Sequence, residues 1–223
     1  MKLRKIFYKK PTLKFSCAIS GVAELYPIVK ASHIEKKWLS KSNTAKKCPS
    51  ISRIIRTGWV QVAWQDIQIK TGDNDFEWKT PISQDMMSDH ISVSNYVDWH
   101  GDEYHEIVED VDVMEKVVKI QAPWMCRIPE GYSLLQTDWR FGDYKPYTSV
   151  TGLMRGDKEV TQLSVHLKVK KDVEFTIKAG QPLCQYFLLE NKQADFVVST
   201  ASEEDLNSYQ KLFIKNRNSF KEN

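Results

Sequence analysis

The chain is expected to be mainly β: a jelly-roll or β-clip-like sandwich with an extended basic N-terminal arm and a C-terminal α-helix. Three observations predict this. From residue 116 onward, short apolar runs recur at about 8–12-residue spacing with turn residues between them. Leu163-Ser164-Val165-His166-Leu167-Lys168-Val169 alternates cleanly, so one strand face is buried and Ser164, His166 and Lys168 share the other. After Ser202 the apolar spacing becomes helical.

Taken in order, residues 12–19 alternate and read as a strand. Residues 24–32 contain Tyr26-Pro27 and read as extended; Ile34 to Leu39 suits one or two helical turns; 41–50 is a polar loop ending in Lys47-Cys48-Pro49. Gly58 to Trp64 reads as a strand. Asp66 to Lys70 and Phe76 to Lys79 form a hairpin across the turn cluster Thr71-Gly72-Asp73-Asn74-Asp75. The stretch 81–115 is acidic and poorly periodic, which predicts a long surface loop with short elements. Strands are then expected at 117–121, 125–128, 132–137, 149–154, 160–169, 173–177 and 183–189, with a tight turn at Lys170-Lys171-Asp172. Gly131 and Gly180 are expected as turn residues, and Trp124, Tyr132 and Tyr186 as packing anchors. Ser202 followed by Glu203-Glu204-Asp205 is a helix start, because acids favour the positive end of the helix dipole. Leu206, Tyr209, Phe213 and Phe220 then fall at roughly helical spacing.

These elements divide the chain into a basic arm with first strands (1–47), a β-sandwich domain with the acidic loop 81–115 (48–190), and a linker with an amphipathic helix (191–223). Its 223 residues and 41% hydrophobic content suffice for one core. No apolar run is long enough to cross a membrane, and the basic N-terminus lacks a signal-peptide apolar region. Cys17, Cys48, Cys126 and Cys184 are too widely spaced for a local zinc pattern and read as reduced thiols. The net charge of +3 hides an asymmetry. Residues 1–47 carry twelve Lys/Arg against Glu24 and Glu35, while 66–115 carry fourteen Asp/Glu against Lys70 and Lys79. Opposite patches suit contacts between subunits, and the basic segment, with Lys5, Lys9 and Lys10, also suits nucleic acid.

The sharpest chemical constellation is His100-Gly101-Asp102 with His166 downstream. An H-x-D pair and a distant His on a jelly roll could hold Fe(II) with open positions, the only cofactor the sequence suggests. No nucleophile elbow, Walker loop or dinucleotide glycine pattern is present, so no catalytic residue is assigned. Tyr209 and Phe213 on the terminal helix are the candidate interaction residues.

Two resemblances add to this. Ile128-Pro129-Glu130-Gly131-Tyr132, then Thr151-Gly152, then Ile177-Lys178-Ala179-Gly180-Gln181-Pro182-Leu183-Cys184-Gln185 resemble the β-clip of trimeric dUTPases and dCTP deaminases over residues 117–190. That resemblance implies a nucleotide fold, but Leu153-Met154 stands where those enzymes place the catalytic Asp. Second, Lys47-Cys48-Pro49, Gly58-Trp59, Trp64-x-Asp66, Lys119-Ile120-x-x-Pro123-Trp124, Pro129-x-Gly131-Tyr132-Ser133 and Gly180-x-Pro182-x-Cys184-Gln185 occur in an order similar to a family of uncharacterised tailed-phage proteins. This second resemblance spans about residues 15–190. It implies a phage source; with no convincing site, abundant aromatics and opposite charge patches, the expectation is a non-enzymatic phage protein, a virion component or assembly accessory in the host cytoplasm or the particle, whose partners are other phage proteins or itself as a homo-oligomer.

Overall fold

Period-two alternation becomes strand with one face buried, as at Ile67–Thr71 and Val165–Val169. The computed structural model describes residues 10–38, 48–81, 96–100, 111–141, 144–156, 160–194 and 200–219. In chain order these contain β1 (Lys14–Cys17), α1 (Ser20–Leu25), β2 (Val29–Lys30), α2 (Ala31–Trp38), α3 (Pro49–Arg56), β3 (Trp59–Val62), β4 (Ile67–Thr71) and β5 (Phe76–Lys79). There follow β6 (Val97–Trp99), β7 (Val118–Ile120), β8 (Trp124–Arg127), β9 (Tyr132–Asp138), β10 (Tyr147–Ser149), β11 (Gly152–Arg155), β12 (Thr161–Gln162) and β13 (Val165–Val169). The last elements are β14 (Glu174–Ile177), β15 (Pro182–Glu190) and α4 (Glu203–Ser219). The protein is mainly β, with antiparallel pairing throughout the described strands, and forms a β sandwich.

Four sheets surround the core, in strand orders β1-β8-β12, β10-β13-β7-β6, β11-β9-β15-β3-β2 and β14-β4-β5. Each turns a row of apolar side chains inward: Ile67 and Ile69 from β4, Val118 and Ile120 from β7, Val165 and Leu167 from β13, Leu134 from β9, Tyr186 from β15. Their alternate residues, such as Gln68, Lys119 and His166, are left on the other face. The five-stranded sheet is covered on its outer side by α2 and α3, where Ala31, Ile34 and Ile55 meet Val60, Val62 and Trp139. Gln61, between those valines, faces the opposite way and accepts a hydrogen bond from the Tyr186 hydroxyl (2.8 Å). On the helix side, Gln185 Nε2 donates to the Ile54 and Thr57 carbonyls (2.9 and 2.6 Å), tying the end of α3 to the central strand.

The polar ends of the strands are held by specific acids. Asp66 accepts from the Ala179 N–H (2.9 Å) and from Lys178 Nζ (2.8 Å), clamping the turn that contains Gly180. The Lys178 ammonium and the Ala179 amide hold the Asp66 carboxyl below its ordinary range. Buried Asp138 accepts from Lys145 Nζ (2.6 Å) and from the Ser149 N–H (2.9 Å), joining β9 to β10. Gly131 and Gly180 take the left-handed conformation, with φ of +76° and +80°.

Several local expectations change. Of the segment 1–47, the part from Lys14 to Trp38 is built into the sandwich: β1 pairs with β8, and Phe15, Cys17 and Ile19 pack on the main core. Residues 20–25 form α1 where extended chain was expected for 24 and 25. Residues 49 and 50 begin α3 rather than ending a loop; Pro49 stands in its first turn, where its missing N–H costs nothing, and Ile55 anchors it. Within 81–115, where short elements were expected, Val97–Trp99 is one, a strand anchored by buried Tyr96 and Val97. The expected strands 149–154 and 160–169 are each two strands in different sheets, separated by Val150-Thr151 and by Leu163-Ser164.

Candidate functional site

His166 is the second residue of β13, on the face opposite Val165 and Leu167. Its cross-strand partner on β7 is Lys119, whose partner on the other side is Asp98 of β6. Cross-strand partners share a face, so Lys119, His166 and Asp98 do as well. His100, two residues beyond Asp98, continues the ladder through its N–H to the Val117 carbonyl (2.9 Å) and returns to that face. The two imidazoles therefore meet across β7. Their ring centres are 4.6 Å apart, edge to face, with planes at 72°.

This pair forms one side of a cleft of about 380 Å³. The rest of the wall is Lys119, Gln136 of β9, Gly152, Leu153 and Met154 of β11, Thr161 and Gln162 of β12, and Ser164. Burial first, then the charges of His100 and Lys119, depress the His166 imidazole from 6.5 to about 4. It is neutral at neutral pH. Gln136 and Gln162 are tied into the fold, donating to the Val150 and Ala122 carbonyls (both 3.3 Å). No carboxylate lines the cleft among the described residues.

The structure thus brings together His100 and His166, two of the three residues expected around Fe(II). Asp102 lies outside the described residues, and among the described residues no group of three or more His, Cys, Asp or Glu could hold a metal ion. Lys119 was missed at the sequence level. It is the polar middle of an alternating Val-Lys-Ile strand, but only the β6-β7-β13 order puts it between two histidines. Leu153 and Met154 line this cleft from the β11 edge.

Lys5 and Lys9 lie outside the described residues; Lys10 is exposed. Tyr209 on α4 is exposed, and the Phe213 side chain lies outside the described residues. All four cysteines are free thiols, and burial pushes Cys126 and Cys184 up to about 12, so both stay protonated and unreactive. A second cleft, of about 320 Å³, is walled by Trp139, Phe141, Tyr144, Tyr147 and Phe175, with Lys145 Nζ 4.8 Å from the centre of the Tyr147 ring.

No protein-family model and no curated protein matches the chain. No helix among the described residues is long and apolar enough to cross a membrane.

Proposed function

We propose that the protein is non-enzymatic and acts through protein–protein contact, with α4 pairing against α4 of a second copy. One observation carries this reading. Leu206, Tyr209 and Ile214 are 53%, 64% and 58% exposed, and every described side chain of α4 is exposed. A capped 17-residue helix that leaves Leu206 and Ile214 exposed offers apolar surface to a second copy. The cap is in place: Ser202 Oγ accepts from the Asp205 N–H (3.1 Å), and Asp205 Oδ2 accepts from the Ser202 N–H (2.9 Å). Charge favours a second copy in antiparallel orientation. Glu203, Glu204 and Asp205 start the helix and Lys211, Lys215 and Arg217 follow, so reversing one copy sets acids against bases. Two helices of this length bury little area, which suits association on the order of micromolar. The resemblance to tailed-phage proteins supports reading this contact as one made in a virion or by an assembly accessory.

Light scattering on size-exclusion fractions tests the reading. Dimer should form at tens of micromolar, in keeping with the micromolar range expected of so small an interface, and vanish in Tyr209→Lys. A strict monomer at every concentration, together with absence of the protein from purified particles, would sink it.

A further inference from the structure

We infer that the cleft between β7, β13, β9 and β11 binds the oxyanion group of a small molecule, a phosphate or a carboxylate, with Lys119 as its charged anchor. This site is separate from α4 and does not depend on the pairing proposed for it. Three observations converge on it. The first is composition: the cleft wall holds one lysine, two histidines, two hydroxyl residues and two glutamines, and no acid among the described residues. The second is register. Lys119 is the cross-strand partner of His166, and His100 meets His166 at 4.6 Å, so the basic groups come from three neighbouring strand positions on one face. The third is electrostatic: His100 and Lys119 both act on the His166 imidazole in the direction that resists a proton. An anion bound beside Lys119 would offset that positive field.

The donors suit an oxyanion. Lys119 offers an ammonium, and Ser164 and Thr161 offer one hydroxyl each. Gln136 and Gln162 each have one amide N–H engaged by a backbone carbonyl. Asp98 is the one described acid on this face near Lys119. It lies outside the cleft wall, and its Oδ1 accepts from the Trp99 N–H (2.8 Å). The same lysine works against a divalent cation, which two imidazoles alone would otherwise invite. Leu153 and Met154 supply an apolar side for the remainder of the ligand, and the volume falls in the range of small-molecule sites, about 300–1,000 Å³.

The experiment is an NMR titration of the full chain at pH 7 and constant ionic strength, following the His100 and His166 imidazole signals. Inorganic phosphate, acetate and Zn²⁺ are added separately. Saturable movement of both imidazoles by phosphate, by acetate or by both supports the site and says which oxyanion it prefers. Lys119→Gln should weaken that binding about tenfold, as expected for loss of one charge-assisted hydrogen bond, while Lys119→Arg retains it. Ser164→Ala, a smaller change on the same face, should weaken it by about two- to fivefold and guards against a Lys119 variant that folds poorly. No response to either oxyanion overturns the inference. So does equal binding by Lys119→Gln, or a response to Zn²⁺ alone.

Discussion

Gly58 sits where the chain passes closest to the central strand. Its φ is +77°, and a Cβ there would lie 2.0 Å from the Tyr186 carbonyl oxygen. Gly131 has nearly the same backbone, φ +76°, yet open space around it. The pair separates two effects. Gly131→Ala should cost about 1–2 kcal/mol, the strain of the left-handed conformation alone. Gly58→Ala should cost more than about 3 kcal/mol, because backbone must move as well. Urea midpoints of the two variants check this order. His166 makes a different residue-scale prediction. Its folded value near 4 lies below the ordinary 6.5 of the unfolded chain. Above pH 6.5 both states are neutral and the residue has no effect on the pH dependence. Below it the unfolded chain takes up a proton that the folded chain refuses, so stability falls until the fold is protonated near pH 4. Allowing for its partial exposure, the loss is on the order of 2 kcal/mol. His166→Gln should therefore flatten the stability profile between these two values, measured by urea unfolding in steps of pH.

Among the elements, β15 and α4 are opposites. β15 is buried along its first five residues, and the Tyr186 hydroxyl stands 2.8 and 3.2 Å from the side-chain oxygens of Gln61 and Gln136. Tyr186→Phe leaves those amide oxygens short of a buried donor and should cost about 1–3 kcal/mol, read as a lower thermal midpoint. Removing residues 200–223 should leave that midpoint unchanged within about 2 °C, since the described side chains of α4 are exposed, while abolishing self-association. The same contrast governs what could be read from sequence. The strands around Val165-His166-Leu167 and Glu174–Ile177 were legible because alternation is a local property. Helix α3 went unread although Ile51, Ile54 and Ile55 fall at helical spacing behind Pro49; the run is only eight residues long, and Ile55 is buried through the tertiary meeting with α2 and β3. The cleft was half legible. His100 and His166 stood out as residue types, but Lys119 enters only through strand order, which no local pattern encodes.

At the scale of the whole molecule, the sandwich is closed by pairings between distant parts of the chain. Tyr186 reaches Gln61 across 125 residues and Gln136 across 50. The main core draws on all four sheets, so no sheet can bury its apolar face alone. A chain cut after residue 181 is expected to lack dispersed amide signals in an NMR spectrum, whereas one cut after residue 194 should show them. The position of β15 in its sheet has a further consequence. It is the last strand in sequence among the described residues, yet it lies between β9 and β3 in the middle of five. During synthesis β3 and β9 are made with the gap between them unfilled. Their unpaired edges and the apolar faces of Leu134 and Val60 must wait, open to solvent and to other chains, until the translating ribosome delivers residues 182–190. Nascent chains are therefore most exposed to misassembly late in translation, and a slow codon run just before residue 182 would lengthen that interval.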